Sequence, residues 1–409
     1  MKNGIIELPA SFFASPAFQD AAEDGAERKT KKAKVSTVLR HVFPEGEDHT
    51  ELLGSLVTNK PPEIGSVVLA KVVSVGENKT TLQSPDGRDA NLHEGDLILV
   101  AYGNRYAVEE YYALMPKDLR KCHLASSGGL ASEIQEKNTL MGAPTVIKPL
   151  GLIADKDGTV LNTKDFALNP GRLKSRLNIS HRPPVLVVVG TGMDAGKTET
   201  VSNITKGMSR AGRNVGVSKM TGTGLRSDIY RSADAGATEV RDFVDVGGYP
   251  STYLVPTEEI LDIMEGQILC LMAHGADLIV IEVADGVCQE DNIRLFQSDR
   301  FKALQDGIIL AGLDAPGTIL ATQKLHQAGL PPLCITGRCT MAASSTIERE
   351  YKASLPRDMH PPLGFLTKPK LKEKETARQI LKAAHPEKPN IEPDILPEGL
   401  TADAPTVGI

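Results

Sequence analysis

From Val185 onward the chain alternates two textures. Short, almost wholly apolar runs at Val185–Val189, Leu278–Val283, Gly307–Ala311 and Pro332–Thr336 read as strands covered on both faces of a parallel sheet, with a further strand at Val215–Ser218. Between them, Glu199–Ala211 sets Val201, Ile204, Met208 and Ala211 at helical spacing and meets Gly212 at its likely end. Thr257–Ala273, Phe296–Leu304 and Gly317–Ala328 carry the same helical signature. Strands and helices in alternation predict a doubly wound α/β domain over residues 185–370.

Upstream the period changes. Val67–Val75, Thr80–Ser84, Asp96–Tyr102 and Arg105–Tyr112 are short β-branched or aromatic runs broken by Gly-Glu-Asn, Pro-Asp-Gly and Gly-Asn. Thr145–Ala154, Asp157-Gly158 and Thr159–Asn162 add another hairpin. A smaller, mainly-β domain over 51–169 is expected, joined by a Pro- and Arg-containing linker at 170–184. Residues 1–50 lack periodicity and read as a polar N-terminal arm; residues 371–409 read as a helix and a Pro-rich tail.

Composition narrows the function. The 409 residues are 41% hydrophobic and 24% charged, as in ordinary globular domains. Lys plus Arg number 46 against 52 Asp plus Glu, a net charge of −6 that gives no general reason to bind nucleic acid. Aromatics are only 4% with no Trp, so base-stacking surfaces are not expected. The basic run Arg28–Lys34 reads as solvated tail. No apolar run reaches the roughly 18 residues that span a bilayer, and the N-terminus lacks a secretory pattern, so a cytoplasmic location is expected. Five scattered cysteines without a CxxC pair argue against a disulfide framework or zinc site.

The chemistry concentrates in one segment. Gly190, Thr191, Gly192, Met193, Asp194, Ala195, Gly196, Lys197 and Thr198 stand directly after a strand and before a helix, the context a phosphate-binding loop requires. Glycines let backbone N–H groups curl around phosphate oxygens, and the helix N-terminus adds partial positive charge. Lys197 would reach the terminal phosphates, and the Thr198 hydroxyl would help hold Mg²⁺. The loop is one residue longer than the usual spacing, since Thr191 occupies the place of the first glycine and Gly190 precedes it.

This longer loop resembles the GTxxxxGKT loop of dethiobiotin synthetase and its relatives, corrin side-chain amidases among them. The likeness continues in order through Lys219-Met-Thr-Gly-Thr-Gly224, Arg231-Ser-Ala-Asp-Ala235, Phe243–Tyr253 and Ile279-Val-Ile-Glu-Val-Ala-Asp-Gly286. It is echoed again in Ile308–Leu313 and Pro361–Leu366, and it covers roughly 183–370. The resemblance implies an ATP and Mg²⁺ site with Thr198, Asp234 and Glu282 on the metal side and Lys197 and Lys219 neutralising the transferred phosphoryl group. Asp285 rivals them for the metal. Oxygen ligands at strand ends suit Mg²⁺, and two lysines would supply charge where it develops.

Two departures matter. The family's EGAGG becomes Glu282-Val-Ala-Asp-Gly286, and its adenine-reading Asn falls on Gly337, which leaves base preference open. The segment from Thr221 through Asp234-Ala-Gly-Ala237 to Ser251–Tyr253 is closer to D-glutamate N-acetyltransferase-like P-loop proteins. The expected activity is an ATP-dependent carbon–nitrogen ligase acting on a small-molecule carboxylate or amine. Thr221, Arg226, Arg231, Ser251, Thr252 and Tyr253 are the candidate substrate contacts, since Arg pairs bidentately with carboxylates. The alternatives are an N-acyltransferase that cradles the coenzyme A pyrophosphate and a nucleotide-gated adaptor. A homo-oligomer is expected, with neither nucleic acid nor membrane as partner.

Overall fold

The computed structural model describes residues 1, 3–13, 15, 18, 32–174, 178–341 and 344–385. Most of the basic run Arg28–Lys34, part of the 170–184 linker and the Pro-rich tail lie outside them. The chain divides into two compact units. Unit 1 comprises residues 1–168 together with Thr223–Arg226 and Phe243–Tyr253; unit 2 comprises the remainder.

Unit 1 is β-rich. Its strands are β1 (Ile5–Glu7), β2 (Lys32–Val35), β3 (Ser55–Val57), β4 (Val67–Ser74), β5 (Thr81–Gln83), β6 (Asp89–Asn91), β7 (Leu97–Tyr102), β8 (Arg105–Tyr106), β9 (Tyr111–Leu114), β10 (Cys122–Ser126), β11 (Leu130–Lys137) and β12 (Val146–Ala154). Ten form one sheet in the order β1-β2-β7-β4-β12-β10-β11-β9-β8, with β3 on β12, while β5 and β6 pair separately. The extra pairing of β11 with β7 closes β7, β4, β12, β10 and β11 into a ring. Closure removes exposed edges from those five strands.

Strand alternation explains why β4 and β7 are buried on both faces. Val68, Ala70 and Val72 join Ile98, Val100 and Tyr102 in a cluster that draws on all five ring strands. Their neighbours Val67, Leu69, Leu97, Leu99 and Ala101 face the other way, onto Ile6, Phe12, Val35, Leu39 and Phe43. Residues 1–50 therefore supply two sheet strands and much of a hydrophobic core. The sequence reading of a polar arm misses this because their apolar residues fall in pieces of three or four. A buried ion pair completes the unit: Arg40 Nε and Nη2 reach Asp245 Oδ1 at 2.9 and 2.7 Å, and His41 Nε2 lies 2.8 Å from the same oxygen.

Unit 2 is α/β, as the alternating texture predicts. Strands β13 (Val185–Gly190), β14 (Val215–Lys219), β15 (Glu239–Asp242), β16 (Leu278–Glu282), β17 (Gly307–Ala311) and β18 (Pro332–Thr336) pair in the order β15-β14-β16-β13-β17-β18. Every pairing is parallel. On one face Leu186, Val188, Val215, Val217, Leu278 and Val280 pack against Val201, Ile204 and Met208 of the helix Lys197–Arg210 and Ala377 and Ile380 of Lys374–Ala384. The helix Thr257–Ala273 reaches the opposite face, where a Cβ at Gly216 would stand 3.0 Å from Leu271 Cβ. The single helix expected at Phe296–Leu304 is two, Glu290–Gln297 and Asp299–Leu304, because Ser298 accepts from Phe301 N and caps the second. Among the described residues no helix is long and apolar enough to cross a membrane.

Candidate functional site

The carboxyl ends of β13, β14 and β16 are neighbours, because β16 pairs with both of the others. Register aligns Val188 with Glu282 and Glu282 with Lys219. In open parallel sheets this is where ligands bind. The loop 190–196 leaves β13 there and turns into the helix Lys197–Arg210. Asp194 and Gly196 take left-handed backbone angles (φ 58° and 94°), which glycine accepts without cost and Asp better than most. No side chain caps the helix start, so its first N–H groups are open to an anion.

Glycines here are dictated by contact as well as by angle. A Cβ on Gly190 would sit 2.8 Å from Lys197 Cγ and Cδ, so its absence lets the lysine fold back over the loop. Lys197 Nζ donates to Gly192 O at 2.7 Å. Gly286 abuts the loop, where a Cβ would lie 2.9 Å from Thr191 O. Gly337, at the expected base-reading position, has φ 92°, and a Cβ there would meet Ala195 O at 2.4 Å. Position 337 thus buttresses the phosphate loop and has no room for a side chain. Arg338 N donates to Ala195 O at 3.0 Å, and Leu313 N donates to Thr191 Oγ1 at 3.1 Å.

The charged groups form one cluster. Thr198 Oγ1 donates to Glu282 Oε1 at 3.1 Å. Lys219 Nζ is ion-paired with Asp228. Lys197, Lys219 and Glu282 are all buried. Burial pushes the Lys197 amine below its ordinary range despite the charges of Asp285 and Glu282. For Lys219 burial pulls the same way, but Asp228 and Glu282 outweigh it and hold the amine above its usual range. Burial raises the Glu282 carboxyl, against the pull of Lys219. Lys197 is therefore no solvent-facing loop residue, contrary to what its glycine-rich setting suggests.

The predicted metal-side trio is only partly assembled. Thr198 and Glu282 meet, whereas Asp234 stands exposed at the end of the helix Arg226–Asp234. Asp228, in the first turn of that helix, is the carboxylate that reaches Lys219; six residues further on, Asp234 is carried to another face. Among the described residues no three His, Cys, Asp or Glu side chains gather as a metal cluster.

The candidate substrate contacts divide between the units. In unit 2, Thr221 Oγ1 donates to Ala284 O at 2.7 Å and ties two strand-end loops together. Arg231 is exposed, and its carbonyl accepts from Ser202 Oγ at 3.1 Å. In unit 1, Arg226 N donates to Gln83 Oε1 at 2.7 Å and Ser251 Oγ donates to Asn104 O. Thr252 is buried, and Tyr253 packs its ring against Tyr106 and Tyr112 at 5.7 and 6.2 Å. Two polar anchors escape the sequence reading. Asn292 Nδ2 donates to Ala284 O and Gly286 O, and the wholly buried Gln267 donates to Lys219 O at 3.0 Å. Both sit in helices where nothing in the local pattern marks them.

Unit 2 has a parallel-sheet α/β fold with a P-loop between β13 and the helix that follows it. No family model matches the sequence, and no curated protein matches it. Among solved structures the chain is similar to the signal recognition particle receptor FtsY from Elizabethkingia anophelis, at 17% identity and a TM-score of 0.31, over 46% of this chain and 61% of that one. It is similar to a LAO/AO transport system kinase at 16% identity and a TM-score of 0.32, over 53% and 65%. The signal recognition particle 54 kDa protein from Aeropyrum pernix K1, solved in complex with GDP, matches at 16% identity and a TM-score of 0.31, over 54% and 51%. The chain spans less than two thirds of the length of each.

Proposed function

We propose that this protein is an ATP- and Mg²⁺-dependent carbon–nitrogen ligase of the dethiobiotin synthetase-like type. A substrate carboxylate or carbamate oxygen attacks the γ-phosphorus of ATP, and the bond to the β–γ bridging oxygen breaks to release ADP. An amine nitrogen then attacks the activated carbonyl carbon, inorganic phosphate leaves, and the nitrogen gives up a proton. The observation that carries this reading is the pair of buried lysines, Lys197 and Lys219, set around Glu282 and Thr198 at adjacent strand ends.

Two lysine cations in a low-dielectric site oppose charge as it develops on the transferred group. Mg²⁺ needs only one or two protein oxygens beside phosphate oxygens and water. Thr198 Oγ1 and Glu282, hydrogen-bonded to one another, would supply them. When bound, the ion would draw charge from the β- and γ-phosphate oxygens. The protein's own work is positioning: Gln267 fixes the Lys219 carbonyl, and Thr221 and Asn292 fix the loop after Glu282.

The test is to incubate the protein with Mg-ATP, a panel of carboxylates and amines, and hydroxylamine. ADP and hydroxamate that depend on the carboxylate support the reading. Consumption of an acyl-CoA without ADP would overturn it in favour of acyl transfer.

A further inference from the structure

Resting on that reading, one side chain stands out because no candidate role includes it. Asp228 holds Lys219 by an ion pair. The two partners are unequal: the Lys219 side chain is 11% exposed and that of Asp228 is 28% exposed, so the carboxylate is the open end of the pair. Glu282 stands beside the same lysine in register and feels the charge of Asp228 as a repulsion. One lysine thus serves two carboxylates before any phosphate arrives.

A bound triphosphate alters this balance. Lys219 is needed by the phosphoryl group, and the partly exposed Asp228 carboxylate left beside that anion is repelled by it. A positive group in the place of Lys219 on Asp228 offsets that repulsion. Within the proposed reaction, the cation that arrives as a reactant is the protonated form of the acceptor amine.

We propose that Asp228 is the seat of the acceptor's ammonium group, and that Lys219 occupies this seat until nucleotide draws it away. The acceptor is accordingly a primary amine recognised in its charged state. Nucleotide and amine bind in a coupled fashion, because the first empties the place the second takes. An ammonium reproduces the amine that Asp228 already holds in Lys219, whereas a neutral amide brings no charge to replace it.

The full-length protein is titrated with n-butylammonium chloride followed by ligand-observed NMR, with and without Mg²⁺ and a non-hydrolysable ATP analogue, with n-butanol as the neutral control. Binding of the ammonium, and not of the alcohol, should strengthen about tenfold or more with the analogue present, a coupling of roughly 1.4 kcal/mol. Asp228→Asn should abolish that gain, Asp228→Glu should keep part of it, and analogue affinity of Asp228→Asn should stay within a few-fold of the parent. Equal ammonium binding in Asp228→Asn overturns the inference. So does a loss of analogue affinity beyond about tenfold, which makes Asp228 a metal or phosphate-site residue instead. If ammonium binding follows Asp228 but no amine or carboxylate ever yields ADP, the ligase reading falls and the ammonium seat stands.

Discussion

Removing Arg40 takes the guanidinium from a buried carboxylate and leaves it His41, whose Nε2 lies 2.8 Å from the same oxygen. Arg40 is 3% exposed and Asp245 2%, and a single oxygen of Asp245 accepts from both Arg40 Nε and Nη2. Arg40→Met keeps most of the volume and deletes the charge. Breaking a buried pair from one side costs about 3–5 kcal/mol, against about 0–1 for an exposed pair. For a unit of this size each kcal/mol moves the melting midpoint by roughly 2–4 °C, so a drop of about 6–20 °C is expected. Tyrosine fluorescence is the natural probe, since the protein has no Trp and six of its 8 tyrosines (102, 106, 111, 112, 249 and 253) belong to unit 1. Arg40→Met with Asp245→Leu should recover most of the loss. A shift under about 3 °C for Arg40→Met alone would place the pair in the range of exposed ion pairs and refute the reasoning.

Three further outcomes are expected. Lys197→Met should cut turnover by two to three orders of magnitude, roughly what a lost transition-state cation costs, while thermal stability at neutral pH holds or rises, because the native amine is buried with its proton affinity lowered; unchanged steady-state rates would contradict it. Glu282→Gln should raise the melting temperature at pH 8, and the gain should vanish in strong acid. The native carboxyl titrates above its ordinary value, so its contribution favours folding below the unfolded pKa and is lost as pH rises through the folded one. A pH-independent effect in paired melts excludes that cause. Gly337→Ala should weaken nucleotide binding about tenfold or more although position 337 carries no side chain, since its Cβ meets Ala195 O at 2.4 Å; wild-type affinity by calorimetry would show that the loop does not depend on this buttress.

What the sequence reveals depends on how far apart its determinants lie. Five strands of unit 2 and the helix Thr257–Ala273 are legible because burial on both sheet faces leaves apolar runs and that helix has apolar residues on most of its surface. The edge strand Glu239–Asp242, with only Asp242 buried, leaves no such run. The phosphate loop is legible because its determinants are consecutive. The helix Arg226–Asp234 is not, since only Ile229 and Ser232 are buried, and Asp228 is hidden with it. The strand Leu130–Lys137 begins apolar and ends in Glu-Ile-Gln-Glu-Lys, so half of it looks like loop. The run Arg105–Tyr112 looks continuous but spans one strand and the start of the next, which pair with each other across a turn. Pairings such as Arg40 with Asp245 have no local trace at all.

That last pair has a consequence for synthesis on the ribosome. The two residues are 205 positions apart, and Asp245 lies in a segment that returns to unit 1 after the phosphate loop and three strands of unit 2 have been made. At roughly 5–20 residues per second, Arg40 waits on the order of 10–40 s for its counter-charge. The β-rich unit cannot finish in vectorial order ahead of its successor. Nascent chains stalled before residue 243 should present an incomplete, protease-sensitive unit 1, and those released beyond Tyr253 a protected one.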